Sequence, residues 1–250
     1  MVMALIAIVE LRSQGQGNNN SNSADKQQQG REFESQFPIA NLKDTNTLTH
    51  AEREKRRKKS RRYDGYKNAI GENIKIITSS RHWAVGLPAL PVLQSDAVVI
   101  GSIENAKAFI TDECAAVYSE FELKIENVLK NDTYNPLAVG AQITIEREGG
   151  RVRTSSGRIG ISFTNGMGMP RIGKRYLFFL THRFPETAEK EETDFYIVTA
   201  YELRDGRVYP MDNPGGGTHP IANKYKNADE TTLLRDLQVV LDQATLNPHD

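Results

Sequence analysis

Val117-Tyr-Ser-Glu-Phe-Glu-Leu-Lys-Ile-Glu-Asn-Val-Leu129 is the stretch that decides the fold class. Its apolar members Val117, Phe121, Leu123 and Ile125 alternate with the polar or charged Tyr118, Glu120, Glu122, Lys124 and Glu126. Successive side chains of a β-strand point to opposite faces, whereas a helix would spread this pattern around its axis. The stretch therefore predicts a strand with one face in a core and the other in water.

Further strand patterns lie on both sides of this one. Residues 96–103 form a nearly continuous apolar run, which is typical of a strand buried on both faces. The other predicted strands are residues 141–146, 151–155, 176–181, 194–203 and 207–210, with Gly149-Gly150 and Asp205-Gly206 as hairpin turns. Six or seven short strands joined by turns predict an all-β fold, either a closed barrel or a sandwich.

The C-terminal segment, residues 229–246, changes to a helical period. Its apolar residues recur at intervals of three and four behind an acidic first turn: Leu233, Leu234, Leu237, Val240 and Leu241. This spacing places them on one side of an amphipathic helix. We expect the helix to pack on the sheet, and binding of a partner is the alternative.

Charge is distributed unevenly along a chain whose formal net charge is zero. Residues 1–80 contain 14 Lys and Arg against 9 Asp and Glu, a difference of +5, which leaves 18 against 23, a difference of −5, for residues 81–250. A mildly acidic folded part argues against nucleic-acid binding, because phosphate contacts require a basic groove. Cys114 is the only cysteine, which excludes an intrachain disulfide and a cysteine-based metal site built from this chain alone.

Residues 1–11 begin with nine uncharged residues before Glu10. This is too short to cross a hydrocarbon core, which needs about 20 apolar residues. A polar run rich in Gln, Asn and Ser follows at once, so the segment indicates the end of a signal peptide or an anchor, with a chance apolar start of a soluble protein as the alternative. We therefore expect an exported protein, in the periplasm, the cell envelope or the extracellular space.

Residues 12–86 are predicted to be a disordered linker, because they contain too few large apolar residues to build a core. Within them, residues 53–62 form a basic run that has no apolar face. We interpret the run as a solvated, solubilising segment. The alternatives are a patch for an anionic membrane surface, attracted by roughly 1 kcal/mol per basic residue, and a nucleic-acid arm. The folded domain is predicted to span residues 87–250.

Gly168, Gly173 and Lys174 have the spacing of a phosphate-binding loop. Such a loop needs Ser or Thr in the next position to hold magnesium, and this chain has Arg175 there. A strand-like run then replaces the helix whose N-terminus would face the phosphates. We therefore predict that Lys174 has no nucleotide role.

Histidine, cysteine and serine chemistry has no clear basis in this sequence. The five histidines are dispersed, and no pair has the one-turn helical spacing of a metal site: His50, His82, His182, His219 and His249. We expect His182 to be a surface residue at a strand end, with convergence on Asp194 as the alternative. Cys114 follows two acidic residues, which oppose formation of a thiolate. No catalytic, cofactor-binding or metal-binding residue is predicted.

Residues 95–101, 118–130 and 172–180, taken together, resemble the netrin-module or TIMP-like family over residues 90–210. The resemblance implies an OB-type closed barrel with helices beside it, in a secreted protein. The animal metalloprotease inhibitors of this family bind zinc through an N-terminal cysteine. This chain has no cysteine near the first predicted strand, so inhibition is carried over to no residue. The remaining similarity is to exported bacterial versions without disulfides, which implies a binding role with no named ligand.

These patterns together predict a protein-interaction module without catalytic activity. Its fold is expected to be an OB-like closed barrel with a C-terminal amphipathic helix, exported or tethered at the envelope through residues 1–11. A protein partner is expected, and no cofactor or metal. The alternatives are an enzyme whose site the sequence does not reveal and a basic-arm binder of nucleic acid or of membrane surfaces.

Overall fold

The computed structural model describes residues 37–42, 49–63, 70, 76–79, 83–111, 114, 116–133, 135–182 and 195–246. The strands in these ranges are β1 Ile39–Asn41, β2 Ile76–Ser79, β3 Ala97–Ile110, β4 Val117–Lys130, β5 Gln142–Glu148, β6 Gly150–Arg153, β7 Ile159–Thr164, β8 Arg175–Thr181, β9 Phe195–Arg204 and β10 Arg207–Pro210. The segment 1–11, predicted as a signal or anchor, lies outside the described residues.

Three α-helices accompany the strands in the described ranges: α1 His50–Tyr63, α2 Pro220–Asn223 and α3 Glu230–Leu246. A short 3₁₀ turn, Pro214–Gly217, precedes α2. None of the helices in the described part of the chain has the length and apolar content needed to span a bilayer.

Five strands of the larger sheet pair in a closed ring, in the order β9, β5, β4, β3, β8 and back to β9. All neighbours are antiparallel except β5 and β9, which run parallel where Ile145 pairs with Phe195 and Glu146 with Tyr196. Strand β10 extends β9 as an antiparallel hairpin. The protein is thus mostly β-sheet with a few helices, one of them at the C-terminal end, as predicted at this coarse level.

The apolar face of β4 lies in a core as predicted, whereas the other face is not in water along its whole length, because Tyr118 is fully buried. Phe121 and Leu123 are fully buried in an apolar cluster that also contains Val99, Phe178 and Ile145. Each of these residues belongs to a strand of the ring, so the cluster fills the space that the ring encloses. The other face of β4 carries tyrosine and carboxylate side chains and is treated below.

Strand β3 is buried on both faces over its first four residues, as its apolar run predicted. Val98 and Ile100 lie on the face opposite Val99 and pack in a second apolar cluster with Leu233 and Leu237 of α3. The predicted amphipathic helix is therefore confirmed, and its buried residues cover the outer side of the ring at β3, β8 and β9.

A second, four-stranded sheet has the order β1, β6, β7, β2. Strands β1 and β2 come from the segment predicted as a linker, and both pair in parallel with their neighbours. Residues 37–42, 50–63 and 76–79 thus form regular elements, and they share one compact unit with the rest of the described chain. The interpretation of residues 12–86 as a disordered linker does not hold for these parts, because strand pairing and the helix contacts described below offset the cost of ordering them.

Gly149 and Gly150 do not form the predicted hairpin turn. Strand β5 before them pairs with β4 and β9, whereas β6 after them pairs with β1 and β7. The glycines are needed for a close approach instead. A Cβ on Gly150 would lie 2.7 Å from Val117 Cγ1 and 3.0 Å from Ala108 Cβ, so the strand passes there from one sheet to the other only without a side chain.

Candidate functional site

The outer surface of β4, β5 and β9 carries carboxylates among aromatic rings. Glu120 and Glu146 are direct cross-strand neighbours, and Glu146 is in turn paired with Tyr196. We call this surface the acidic face and define it by Phe109, Tyr118, Glu120, Glu146 and Tyr196. Like charges placed directly opposite each other destabilise a sheet unless a cation lies between them.

Helix α1 supplies that cation. Arg56, Lys59, Ser60 and Tyr63 are spaced by three, four and seven residues and therefore lie on one side of the helix. Lys59, Ser60 and Tyr63 are buried, with 4%, 1% and 0% of their surface exposed, although more than half of the residues of the helix are Lys or Arg. The neighbouring Arg57 and Lys58 are exposed. The helix thus docks a lysine and a tyrosine on the acidic face and leaves its other side in water.

The Lys59 ammonium bridges the two carboxylates. Its Nζ lies 2.6 Å from Glu120 Oε1 and also forms an ion pair with Glu146 Oε1. Burial opposes the charge on Lys59, but Glu146 and Glu120 more than offset this and raise its pKa above the ordinary value. Lys59 therefore stays protonated and cancels the repulsion between the two paired strands.

A chain of hydrogen bonds continues from this ion pair. The Tyr196 hydroxyl donates to the Tyr63 hydroxyl at 2.7 Å, and Tyr63 donates to Glu146 Oε2 at 3.2 Å. Arg62 Nη1 lies 3.3 Å from the same carboxylate oxygen. Burial, reinforced by the charge of Glu146, raises the pKa values of Tyr63 and Tyr196 well above the ordinary value. Both phenols are consequently donors throughout the physiological pH range.

Aromatic contacts complete the docking of α1. The Tyr63 ring is stacked on Tyr118 with centroids 4.8 Å apart and planes 1° from parallel. Tyr118 stacks in turn on Phe109 at 5.3 Å, and the Arg56 guanidinium lies 4.5 Å from the Phe109 ring centroid. Such contacts contribute about 0.5–1.5 kcal/mol each beyond their buried area. The acidic face thus contacts both the cationic and the aromatic side chains of α1.

The raised pKa values of the two phenols predict that stability falls at alkaline pH. Unfolded tyrosines ionise near 10, whereas Tyr63 and Tyr196 stay protonated in the folded protein, so their contribution is complete below that pH and is lost as pH rises through their raised pKa values. Urea unfolding at about pH 9 and about pH 11 should show a smaller loss of unfolding free energy for Tyr63→Phe than for the native protein. An equal loss in both proteins would contradict this assignment.

A second buried ion pair joins Arg147 on β5 to Asp212 after β10. Arg147 Nη2 lies 2.6 Å from Asp212 Oδ1, which also accepts from the Gly168 backbone N–H at 2.8 Å. The Thr199 hydroxyl donates to Asp212 Oδ2 at 2.8 Å, and the Trp83 ring centroid lies 5.5 Å from the Arg147 guanidinium. Burial raises the pKa of Asp212, and Arg147 with the two donors opposes this effect. The group ties β5, β9 and the loop at Gly168 together.

His182 is not the surface residue that the sequence indicated. Only 2% of its surface is exposed, its Nε2 lies 2.9 Å from Asp132 Oδ2, and its ring centroid is 4.0 Å from that of Phe195. Asp96 Oδ2 accepts from the His182 backbone N–H at 2.8 Å. The prediction failed because β8 is buried to its last residue, and His182 continues it inward. Asp194, the alternative partner, lies outside the described residues.

The remaining predicted positions belong to different elements of the fold. Cys114 is half buried beside an apolar cluster that contains Ile70 and Ile110. Lys174 directly precedes β8, so a strand follows the glycine-rich loop as predicted. Among the described residues, no three His, Cys, Asp or Glu side chains are grouped as a metal site.

One feature of the sequence does indicate that α1 docks on the sheet, although the high charge of the segment suggests a solvated helix. The basic run, residues 53–62, has no apolar face of its own, yet Tyr63 follows it directly and lies four residues after Lys59. Tyr118, Phe109 and Tyr196 then supply the rings on the sheet side. An aromatic residue in helical phase with one lysine of a basic run distinguishes a docking helix from a solvated one.

No family model matches this chain, and neither a curated protein nor a solved structure matches it. Its function is therefore argued from the residues and distances given above.

Proposed function

We propose that the protein is a binding module without catalytic activity, exported or tethered at the cell envelope, and that the acidic face binds a protein partner. The observation that carries the proposal is that this face already holds a polypeptide helix through one lysine, two arginines and one tyrosine. The apolar composition of residues 1–9 supports export.

The strand order supports an OB-like closed barrel of the netrin-module type as the scaffold. Five strands close on themselves with a single parallel pair, and the C-terminal helix packs on the outside. In OB folds the face formed by the second and third strands is a binding surface. In this ring those strands are β4 and β5, whose outer side is the acidic face.

The buried polar pairs support binding over catalysis. Lys59 with Glu146, Arg147 with Asp212, and His182 with Asp132 each join groups on different segments of the described chain. In each pair the two side chains contact each other within this chain, so the pairs fix the positions of the segments that carry them. Catalysis would require such groups to converge on a shared opening for a substrate.

A second candidate, an anionic membrane surface, is favoured by the exposed side of α1. Arg57 and Lys58 are exposed on the side of α1 away from the acidic face, where they can meet lipid head groups or other anions, although Arg57 also pairs with Glu54 at 3.3 Å. The predicted solvated character of residues 53–62 is thus retained only on this outer side. Vesicles of anionic lipid are accordingly included in the binding tests.

The proposal is tested by photo-crosslinking in the full chain. A benzoylphenylalanine replaces Glu122, which lies on the same side of β4 as Glu120, and the protein is mixed with defined helical peptides of basic, neutral or acidic composition. We expect cross-links to a subset of the peptides, identified by mass spectrometry.

The matched control places the same photo-reactive residue at Gln243, which is exposed on α3 and far along the chain from the acidic face. The control should give only background labelling. Equal labelling from both positions, or none from Glu122, would contradict a binding role for this face. Labelling that anionic vesicles abolish would favour the membrane candidate instead.

A further inference from the structure

We propose that α1 is an exchangeable occupant of the acidic face, and that the partner is a basic helix which carries Lys, Arg and Tyr at positions i, i+3 and i+4. These are the positions of Lys59, Arg62 and Tyr63. The inference rests on the proposed binding function and specifies both the chemistry of the partner and the element it displaces.

Charge defines the occupant. Glu120 and Glu146 face each other across β4 and β5, and the Lys59 ammonium of α1 lies between them. When α1 leaves, the two carboxylates repel each other, so the face selects another cation. An acidic or neutral helix would leave this repulsion in place.

Aromatic contacts define the second requirement. Tyr118 lies between Phe109 and Tyr63 in a stack of three rings, and the Tyr63 hydroxyl fills the position between Tyr196 and Glu146. A partner without an aromatic residue four positions after its lysine would leave Tyr118 uncovered. The combination therefore separates a specific helix from a merely basic one.

The contacts between α1 and the acidic face allow the helix to dissociate and be replaced. Tyr63 is the one described residue of α1 that belongs to an apolar cluster, and Lys59 and Arg62 are held by ion pairs with Glu120 and Glu146. The cost of removing both charges from water offsets most of the attraction in a buried ion pair. On release, carboxylates and phenols become hydrated, whereas an apolar face would be driven to aggregate.

The test uses the full chain and a fluorescein-labelled peptide that spans residues 49–64, with binding measured by fluorescence anisotropy. In the native protein α1 occupies the face, so the apparent affinity is reduced by the small open fraction. Lys59→Glu places a third carboxylate beside Glu120 and Glu146 and should release α1. We expect this variant to bind the peptide at least about tenfold more tightly than the native protein.

Lys58→Glu is the matched control, because it makes the same charge change at an exposed neighbour, and it should bind like the native protein. A peptide of the same composition in scrambled order should not bind. Equal affinity of the Lys59→Glu and Lys58→Glu proteins would overturn the inference, as would equal binding of the scrambled peptide. If Lys59→Glu does not fold, Tyr63→Ala replaces it with the same expected result.

Failure of the proposed partner chemistry and failure of the proposed binding function give different results. If the released variants bind helical peptides of neutral or acidic composition better than the basic one, the partner chemistry is wrong and the binding function stands. If they bind no peptide, and Glu122 cross-links none, the proposed function fails with the inference.

Discussion

Phe121→Ala is expected to lower the free energy of unfolding by about 3–5 kcal/mol. Phe121 has 0% of its surface exposed and lies at the middle of β4, where it pairs with Ala106 on one side and Ile145 on the other. Removal of the ring leaves a cavity inside the closed ring of strands, which cannot collapse readily because paired strands surround it. Urea unfolding monitored by circular dichroism measures the loss.

Glu122→Ala is the control for this experiment. Glu122 is the next residue on β4 and lies on the outer side, where it accepts from Asn105 Nδ2 at a long 3.3 Å. Its replacement should change stability by no more than about 0.5 kcal/mol. Losses of similar size from both variants would mean that the side chains of β4 do not alternate between the interior and the outer face.

Asp212→Ala is expected to have a comparable effect, about 3–5 kcal/mol, for an electrostatic reason. Asp212 is buried and accepts from Arg147, from the Gly168 backbone and from Thr199. Its loss leaves the Arg147 guanidinium, with 2% of its residue surface exposed, as a charge without a counter-ion. Urea unfolding again provides the measurement, and Asp242→Ala, on the exposed side of α3, should lie within about 0.5 kcal/mol.

A double variant identifies the cause. Arg147→Met combined with Asp212→Leu removes both charges, and it should be more stable than Asp212→Ala by about 2 kcal/mol, since only the Gly168 and Thr199 donors are left without their acceptor. If the double variant is no more stable than the single one, the loss arises from packing around Asp212 and not from the uncompensated arginine.

The strands of the ring were predictable because their signal is local. Phe121 and Leu123 alternate with charged residues, and the run at Val98 and Val99 is apolar on both faces, so the burial of each follows from its neighbours in sequence. The same holds for Leu233 and Leu237 in the C-terminal helix. The largest error in length is at β3, which continues to Ile110 although residues 104–110 carry no clear alternation, and β5 also extends two residues further than predicted.

The candidate site was not predictable in this way, because its signal is distributed over distant segments. Lys59 and Glu146 are 87 positions apart in the chain, and nothing within a few residues of either indicates the pairing. A lysine that is buried between two carboxylates has the same local sequence as a solvated one. His182 and Asp132 illustrate the same limit, since their contact depends on how two loops meet at the end of the ring.

Strands β1 and β2 escaped prediction for a different reason. Each is short, and each gains its hydrogen bonds by parallel pairing with β6 or β7, which lie roughly 80 to 110 residues later in the chain. A strand of three or four residues has little propensity of its own and is stabilised by the sheet that receives it. Composition therefore indicated a linker, although β6 and β7 provide β1 and β2 with the strands they pair with.

Helix α1 contacts the short parallel pairing between β5 and β9, so its binding also affects the stability of the ring at that point. Among the described residues these two strands share two residue pairs, whereas β4 and β5 share seven. Glu146 and Tyr196, which form one of those two pairs, are the residues that Arg62 and Tyr63 hold from outside. Backbone amides at this junction should therefore exchange with solvent through a local opening whose free energy depends on the occupant of the acidic face. Occupancy of the surface would set how often the ring itself opens.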